Sequence, residues 1–538
     1  MQPITDRRSL LAFAAAVTAT GVLGNSLASA QDATPDAVMT IEAGDAIPPE
    51  YAAQADTDWL TEGRDYSMSR SVPGSAISGE TVGTLEEAWR FDISSIGPFG
   101  ALVANPVISG DLLYLQDAMS NVYALNRESG ELVWNNQYDL NVPSGGPNGV
   151  TVGYGAVFYG AGNGLVVAAN KETGEVIWEH DITGVMGEGM CVSPLVYDNR
   201  VWVSNTPAST HEGGLAGRRG TIFCLDVTDG HVLWTFDTTT ENLWNDPSVN
   251  SGGGFWHTPA VDSEGSVYFP IGNVYPWVSQ SGGPTGVSME DNTDYANNLL
   301  KLDTETGGLV WATNITGRDI FDLDNHLVAT GTVEMPGGFT REFIFTSGKH
   351  GFMVAVDPIA GAEFWRTPLG THNNAQLQSV PEGEDIEVWP GTLGGVETPF
   401  AFHEGVIYAP VLELPSMYNS EGLGSGLDAS TATGKLSAVQ GFNGNILWQA
   451  EMPSGVFAAA TAVNDLVFTG CLDGVIRAFS TADGSLVWSA QTTAGLNAPL
   501  CISGDYVYVP AGGFLMPSEE TSDPAPEYAP ALIAYKLA

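Results

Sequence analysis

The sequence predicts an all-β fold, an eight-bladed β-propeller of four-stranded antiparallel blades ring-closed by N-terminal and C-terminal strands, on three observations. One phrase recurs seven times, two further β-rich runs precede each copy, and the strand missing from the last unit stands at the far end of the chain.

The phrase is seen in VYALNRESGELVW, LLKLDTETGGLVW and IRAFSTADGSLVW. In every copy a Gly precedes a Trp by four residues: Gly130/Trp134, Gly174/Trp178, Gly230/Trp234, Gly307/Trp311, Gly361/Trp365, Gly444/Trp448 and Gly484/Trp488. Each copy reads as a β-hairpin. An alternating apolar strand ends at a turn rich in Asp, Asn and Thr, Gly takes the positive-φ position, and the next strand carries the Trp. Upstream runs such as HTPAVD and SVYFPIG supply two more strands per unit. Trp spacings of roughly 40 to 80 residues fit four-stranded blades with loop insertions rather than helical solenoids. An eighth Trp, Trp89 in LEEAWRFDI, has no hairpin before it, while NAPLCIS, DYVYVPAG and LIAYKLA give three strands and then the sequence stops. Pairing Trp89's strand with these three closes the ring and leaves no exposed edge.

Three segments are expected: an export signal over 1–30, an N-terminal extension and lead-in over 31–77, and the propeller over 78–538. Arg7-Arg8, the apolar run from Leu10 to Leu27 and the small residues Ala28-Ser29-Ala30 carry the first of these, with a loose twin-arginine character. No later apolar run is long enough to span a bilayer.

Composition narrows the partners. The 538 residues include 63 Asp+Glu against 18 Lys+Arg, a formal net charge of -45, yet 43% of the chain is apolar, which is globular rather than disordered. Such a surface repels nucleic acid and anionic membranes. Cys191, Cys224, Cys471 and Cys501 stand singly with no CxxC, so neither zinc nor covalent haem has support. Disulfides and buried free thiols are both open.

In an antiparallel meander of strands A to D, the B→C loops and D→A connections emerge on one face. The insertions Thr206–Gly220, Tyr275–Tyr295, Leu412–Lys435 and Gly512–Ala529 all fall there, so a binding site is expected on that face. The same topology gathers Glu212, Trp256, Asn273, Asp322, Asp324 and Lys349. Glu, Asn and Asp offer hard oxygen ligands suited to Ca²⁺ or a similar cation.

At these residues the chain resembles the pyrroloquinoline quinone (PQQ) dependent alcohol dehydrogenases, in its AxDxxTGxxxW-like repeats and in the lead-in WLTEGRDYSMSRSVPGSAI (Trp59 to Ile77). The resemblance implies that Trp256, in GGGFWHTPAVD, carries the quinone ring and that Lys349, in SGKHG, hydrogen-bonds its oxygens. It implies metal ligation by Asn273, in YFPIGN, and by Glu212, the only carboxylate between Asp198 and Asp226. Asp322, in RDIFDLD, matches the catalytic aspartate, which also meets the metal. Asp324 matches the additional carboxylate of lanthanide-using members, or else caps a turn before Asn325-His326. Cys191 falls near the quinone carboxylates, or is a core residue of an MCVSP strand.

The implied reaction is oxidation of an alcohol or aldehyde, small or polymeric, with Asp322 taking the hydroxyl proton and hydride passing to the metal-bound quinone. Trp277, Tyr418 and Phe514 are expected to shape the substrate pocket. Two departures stand out: the family's adjacent Cys pair, due near Asn148–Gly153, is absent, and no haem motif follows the propeller. Electrons would then leave to a separate acceptor such as a cytochrome c, in the periplasm or outside the cell. A non-catalytic propeller, acting as an assembly scaffold or binding module, is the competing reading. It needs the Gly/Trp hairpins but not the oxygen-ligand cluster.

Overall fold

The computed structural model describes residues 40–538 apart from 139–142, 162–163, 184–189, 207–218, 240–250, 276–294, 318, 378, 420–421 and 424–427. The expected export signal, Glu212 and Trp277 lie outside the described residues, as does most of the first two insertions.

Eight four-stranded antiparallel sheets follow one another along the chain. Blade 1 is representative: Val107–Ser109, Leu112–Gln116, Val122–Asn126 and Leu132–Asn136 form strands A to D. Burial falls outward: the B strand is buried at every position, whereas the D strand exposes Leu132 and Val133. Closure occurs in blade 8, where Leu85–Asp92 pairs with Ala531–Leu537 from Leu85↔Leu537 to Asp92↔Ala531. Trp89's strand is thus the outer strand of the last blade, and the ring has no open join.

The repeated Gly and Trp act between blades as well as within a hairpin. Each turn Gly has φ between 67° and 75°. A Cβ on Gly130 would lie 2.5 Å from the ring of Trp89, one on Gly307 2.7 Å from Trp234, and one on Gly484 2.5 Å from Trp448. Seven of the eight blade Trp residues, all but Trp488, therefore seat on the turn of the next blade, where the indole N–H donates to a carbonyl, as in Trp134 to Lys171, Trp234 to Thr304 and Trp448 to Thr481. Only Gly combines the positive φ with that close approach. Trp311 bridges blades 4 and 5 in this way, against Gly361 and Pro358. Trp311→Ala should cost about 3 kcal/mol, the low end of the range for buried aromatics because this ring is only half-buried. Urea unfolding measures it; a change below about 1 kcal/mol, the median for point substitutions, would count against the inter-blade role.

A second suture is the lead-in. Residues 59–72 run round the inner edges of the A strands: Trp59 bridges to Ile108, and Leu60, Tyr66, Ser67, Ser69 and Arg70 carbonyls accept from Val152, Val261, Thr330, Phe402 and Ala462 in blades 2, 4, 5, 6 and 7. Tyr66 donates to Val196 in blade 3. Arg70 is fully buried and reaches blade 8, donating to the carbonyls of Glu62, Ala460 and Leu500 and to Thr461. All eight blades are thereby tied at the axis.

The four cysteines are buried free thiols. Among the described residues no helix is long and apolar enough to cross a membrane.

Candidate active site

An axial cavity of about 110 Å³ opens on the face of the D→A connections. It is walled by the segments that enter the A strands of successive blades. Trp256, Asn273, Asp322, Asp324, Lys349 and Cys191, all expected site residues, line it together.

Their placement follows from topology. Trp256 lies between strand D of blade 3 (Val232–Asp237) and strand A of blade 4 (Ala260–Val261), and Asp322 between strand D of blade 4 (Leu309–Asn314) and strand A of blade 5 (Asn325–Met335). Asn273 follows strand B of blade 4 (Val267–Pro270), and Lys349 follows strand B of blade 5 (Phe339–Gly348). The last four polar residues, Asn273, Asp322, Asp324 and Lys349, are each at most 6% exposed, so their mutual contacts decide whether the site is stable.

Those contacts form one network. Asn273 Nδ2 donates to Asp322 Oδ1 at 2.9 Å, and its backbone N–H to Asp324 Oδ1 at 2.6 Å. Lys349 Nζ lies 2.7 Å from Asp324 Oδ2 and 3.4 Å from Asp322 Oδ2. Thr392 donates to Asp322 Oδ2. Asp324 therefore does not cap the turn before Asn325; it ties blade 5 to blade 4. Gly272 makes that possible, because a Cβ there would stand 2.7 Å from Asp324 Oδ1.

Asp322 sits at φ 67°, in the left-handed region that costs energy for most residues. Two groups hold it there: Asp319, which the sequence did not single out, and Tyr418, expected instead at a substrate pocket. Asp319, buried, accepts from the N–H groups of Phe321 (2.7 Å) and Leu323 (2.6 Å). Burial pushes its carboxyl up to about 7, against the pull of those donors, with Asp322 and Asp324 adding to the rise. Tyr418, fully buried, donates from its hydroxyl to the Phe321 carbonyl at 2.7 Å. Tyr418 thus buttresses the turn that carries Asp322 and does not line the cavity, and Phe514 is not among the lining residues either. The apolar wall is made by Phe99, Val103, Leu393 and Phe457.

Trp256 presents its ring to the cavity, with Lys349 Nζ 5.3 Å from the ring centre. His257 is held by the Glu62 carboxylate, which also accepts from Thr258 N–H at 2.8 Å. Burial acts to raise the Glu62 carboxyl, but the His257 charge and these hydrogen bonds overcome it and hold the group below its ordinary range. Cys191 is 1% exposed and raised by burial, with Ser144 Oγ 3.6 Å from its sulfur. It is thus both a core residue and part of the cavity wall. Where the Cys pair of the resemblance is missing, Gly145, Gly146, Pro147 and Asn148 form the wall. Asn148 Nδ2 donates to Asp117, leaving the buried Oδ1 without a partner beside the cavity. Among the described residues the Asp226, Asp229 and His231 side chains also converge, but on the opposite face, where Asp226 accepts from Thr228 within a hairpin turn.

Known proteins share this fold. A quinohemoprotein alcohol dehydrogenase of Pseudomonas putida is 25% identical over 509 residues, covering 83% of this chain and 71% of the relative. Among solved structures, quinohemoprotein alcohol dehydrogenase ADHIIG from Pseudomonas putida HK5 superposes with TM-score 0.76 at 20% identity, covering 91% of this chain and 83% of that one. A europium-containing methanol dehydrogenase gives TM-score 0.73 at 17% identity, covering 91% and 100%. Residues 421–517 match the family of the outer membrane protein assembly factor BamB. That stretch holds Gly/Trp hairpins and none of the polar cavity residues above, so the scaffold reading gains no support from it. Residues 59–366 match the family described as glucose/ethanol/alcohol dehydrogenase, β-propeller domain. That span includes the lead-in and every one of the cavity's charged groups just described, and the chain belongs to this PQQ family.

Proposed function

We propose that the protein oxidises an alcohol with PQQ bound in the axial cavity beside a metal ion, and passes the electrons to a separate acceptor. The observation that carries this is the convergence of Asn273, Asp322, Asp324 and Lys349 on one buried cavity walled by the face of Trp256.

The residues present fit the cofactor. A flat aromatic wall suits a planar quinone, an ammonium suits its oxygens, and the buried Asn148 Oδ1 has no protein partner. Carboxylate and amide oxygens suit a hard cation. In this reading Trp256, Lys349 and Cys191 hold the cofactor, and Glu212, Asn273, Asp322 and Asp324 hold the metal. When bound, the quinone supplies the hydride acceptor and the cation the Lewis acid that polarises it.

The chain's own residues do the rest. Asp322 accepts the hydroxyl proton of the alcohol as its carbon gives up hydride. Asn273 and Thr392 hold both carboxylate oxygens of Asp322, so the base meets its substrate without reorganising. Phe99, Leu393 and Phe457 give the cavity an apolar wall. Asp324 brings the side-chain carboxylates to three with Glu212 and Asp322, which favours a trivalent lanthanide over Ca²⁺ on Coulomb grounds. The acceptor is a soluble cytochrome-type carrier, steered by the acidic surface, in the periplasm or outside the cell. Arg7-Arg8 and the apolar run behind them support that location.

The test is dye-linked oxidation of a primary alcohol by the purified chain. Activity should require PQQ and a metal together; turnover with neither, or none with both across short, aromatic and polymeric alcohols, would overturn the reading.

A further inference from the structure

We propose that His326 is the positioning residue that holds Trp256 flat against the cofactor, an inference that rests on the function proposed above.

The two rings stack at a centroid distance of 3.9 Å and an interplanar angle of 16°. Trp256 lines the cavity, whereas His326 is fully buried and does not. The imidazole therefore lies behind the indole, on the side away from the ligand. The indole needs such support, because the backbone leading to it is three glycines with φ of 89°, 73° and 77° (Gly252, Gly253, Gly254), which impose little restraint of their own. Its other near aromatic neighbour, His257, is tilted by 43° and gives an edge rather than a floor.

The position of His326 is built by the sheet. Strand A of blade 5 pairs Asn325 with Gly348 and Leu327 with Ser347, so the register shifts at His326. A bulge re-aims the side chain of its extra residue out of the strand's alternation. Opposite it, Gly348 leaves the space: a Cβ there would lie 2.0 Å from the Asp324 carbonyl and 3.0 Å from His326 Nδ1. His326 Nε2 lies 3.1 Å from the Glu397 carbonyl, which can only accept, so Nε2 carries the proton and the ring is pinned edge-on as well. One stretch, 319–326, thus supplies the base, the additional carboxylate and the floor of the platform. A stacked floor fixes the indole rotamer before the ligand arrives, so less ordering cost falls on binding.

His326→Phe keeps a stacked ring and loses the hydrogen bond; His326→Gln keeps a donor and loses the ring. Full-length protein is titrated with PQQ and La³⁺ in equilibrium dialysis, and thermal unfolding of the cofactor-free chains reports folding. The Phe variant should bind within about threefold of the wild type and the Gln variant about tenfold more weakly, the scale of one aromatic pair. A Gln variant that binds like the wild type, or a Phe variant as weak as Gln, overturns the stacking role while leaving the proposed function in place. Should the Phe variant not fold, the Gln variant alone decides. A wild type that retains no PQQ overturns the proposed function, and this inference with it.

Discussion

Asp322→Asn abolishes alcohol oxidation, lowering kcat by about 10²–10⁴-fold, the contribution of a general base, while thermal unfolding stays close to wild type. Asn is the informative replacement. Residue 322 sits at φ 67°, where Asn is tolerated and Ala adds strain. The amide can still meet Asn273 and Thr392, so the turn built by Asp319 and Tyr418 survives. Steady-state kinetics on metal- and PQQ-loaded protein, with circular dichroism beside it, separates loss of the base from loss of the fold. Activity within threefold of the wild type would remove Asp322 from the chemistry.

Asp324→Asn should reverse the metal preference. With three carboxylates the wild type is expected to be more active with La³⁺ than with Ca²⁺, because a third negative charge offsets the third positive one. The variant should lose lanthanide activity selectively, or favour Ca²⁺. Its side-chain oxygen can still accept from the Asn273 N–H, a contact that is 2.6 Å in the native protein, so the tie between blades is kept. A purely structural Asp324 predicts both metals affected alike. Activity of both proteins with both metals distinguishes the outcomes, and an unchanged La³⁺/Ca²⁺ ratio removes the lanthanide assignment without touching the quinoprotein one.

The ring was legible because its signals are local. A period-2 apolar pattern, a turn Gly and a Trp four residues on lie within one hairpin, and counting them gives the blades. The gathering of Asn273, Asp322, Asp324 and Lys349 was legible through topology, since placing each after a B or D strand puts it on one face. What the sequence hid acts across blades. Nothing near Gly307 announces that Trp234 will cover it, and nothing near Arg70 announces carbonyl partners at 460 and 500. Asp319 and Tyr418 support Asp322 from three and 96 residues away. Tyr418 read as a pocket aromatic because exposure cannot be told from residue type, and His326 reaches Trp256 only through a bulge that depends on pairing register.

The central claim is that the oxygen ligands, the lysine and the tryptophan of the axial cavity form one joint site for quinone and metal. Equilibrium dialysis of the full chain with PQQ, in the presence of La³⁺ or Ca²⁺ and again with excess chelator, tests it most directly. One PQQ retained per chain with metal, and its loss on chelation, is the predicted result; equal retention with and without chelator, or none in either, would contradict it.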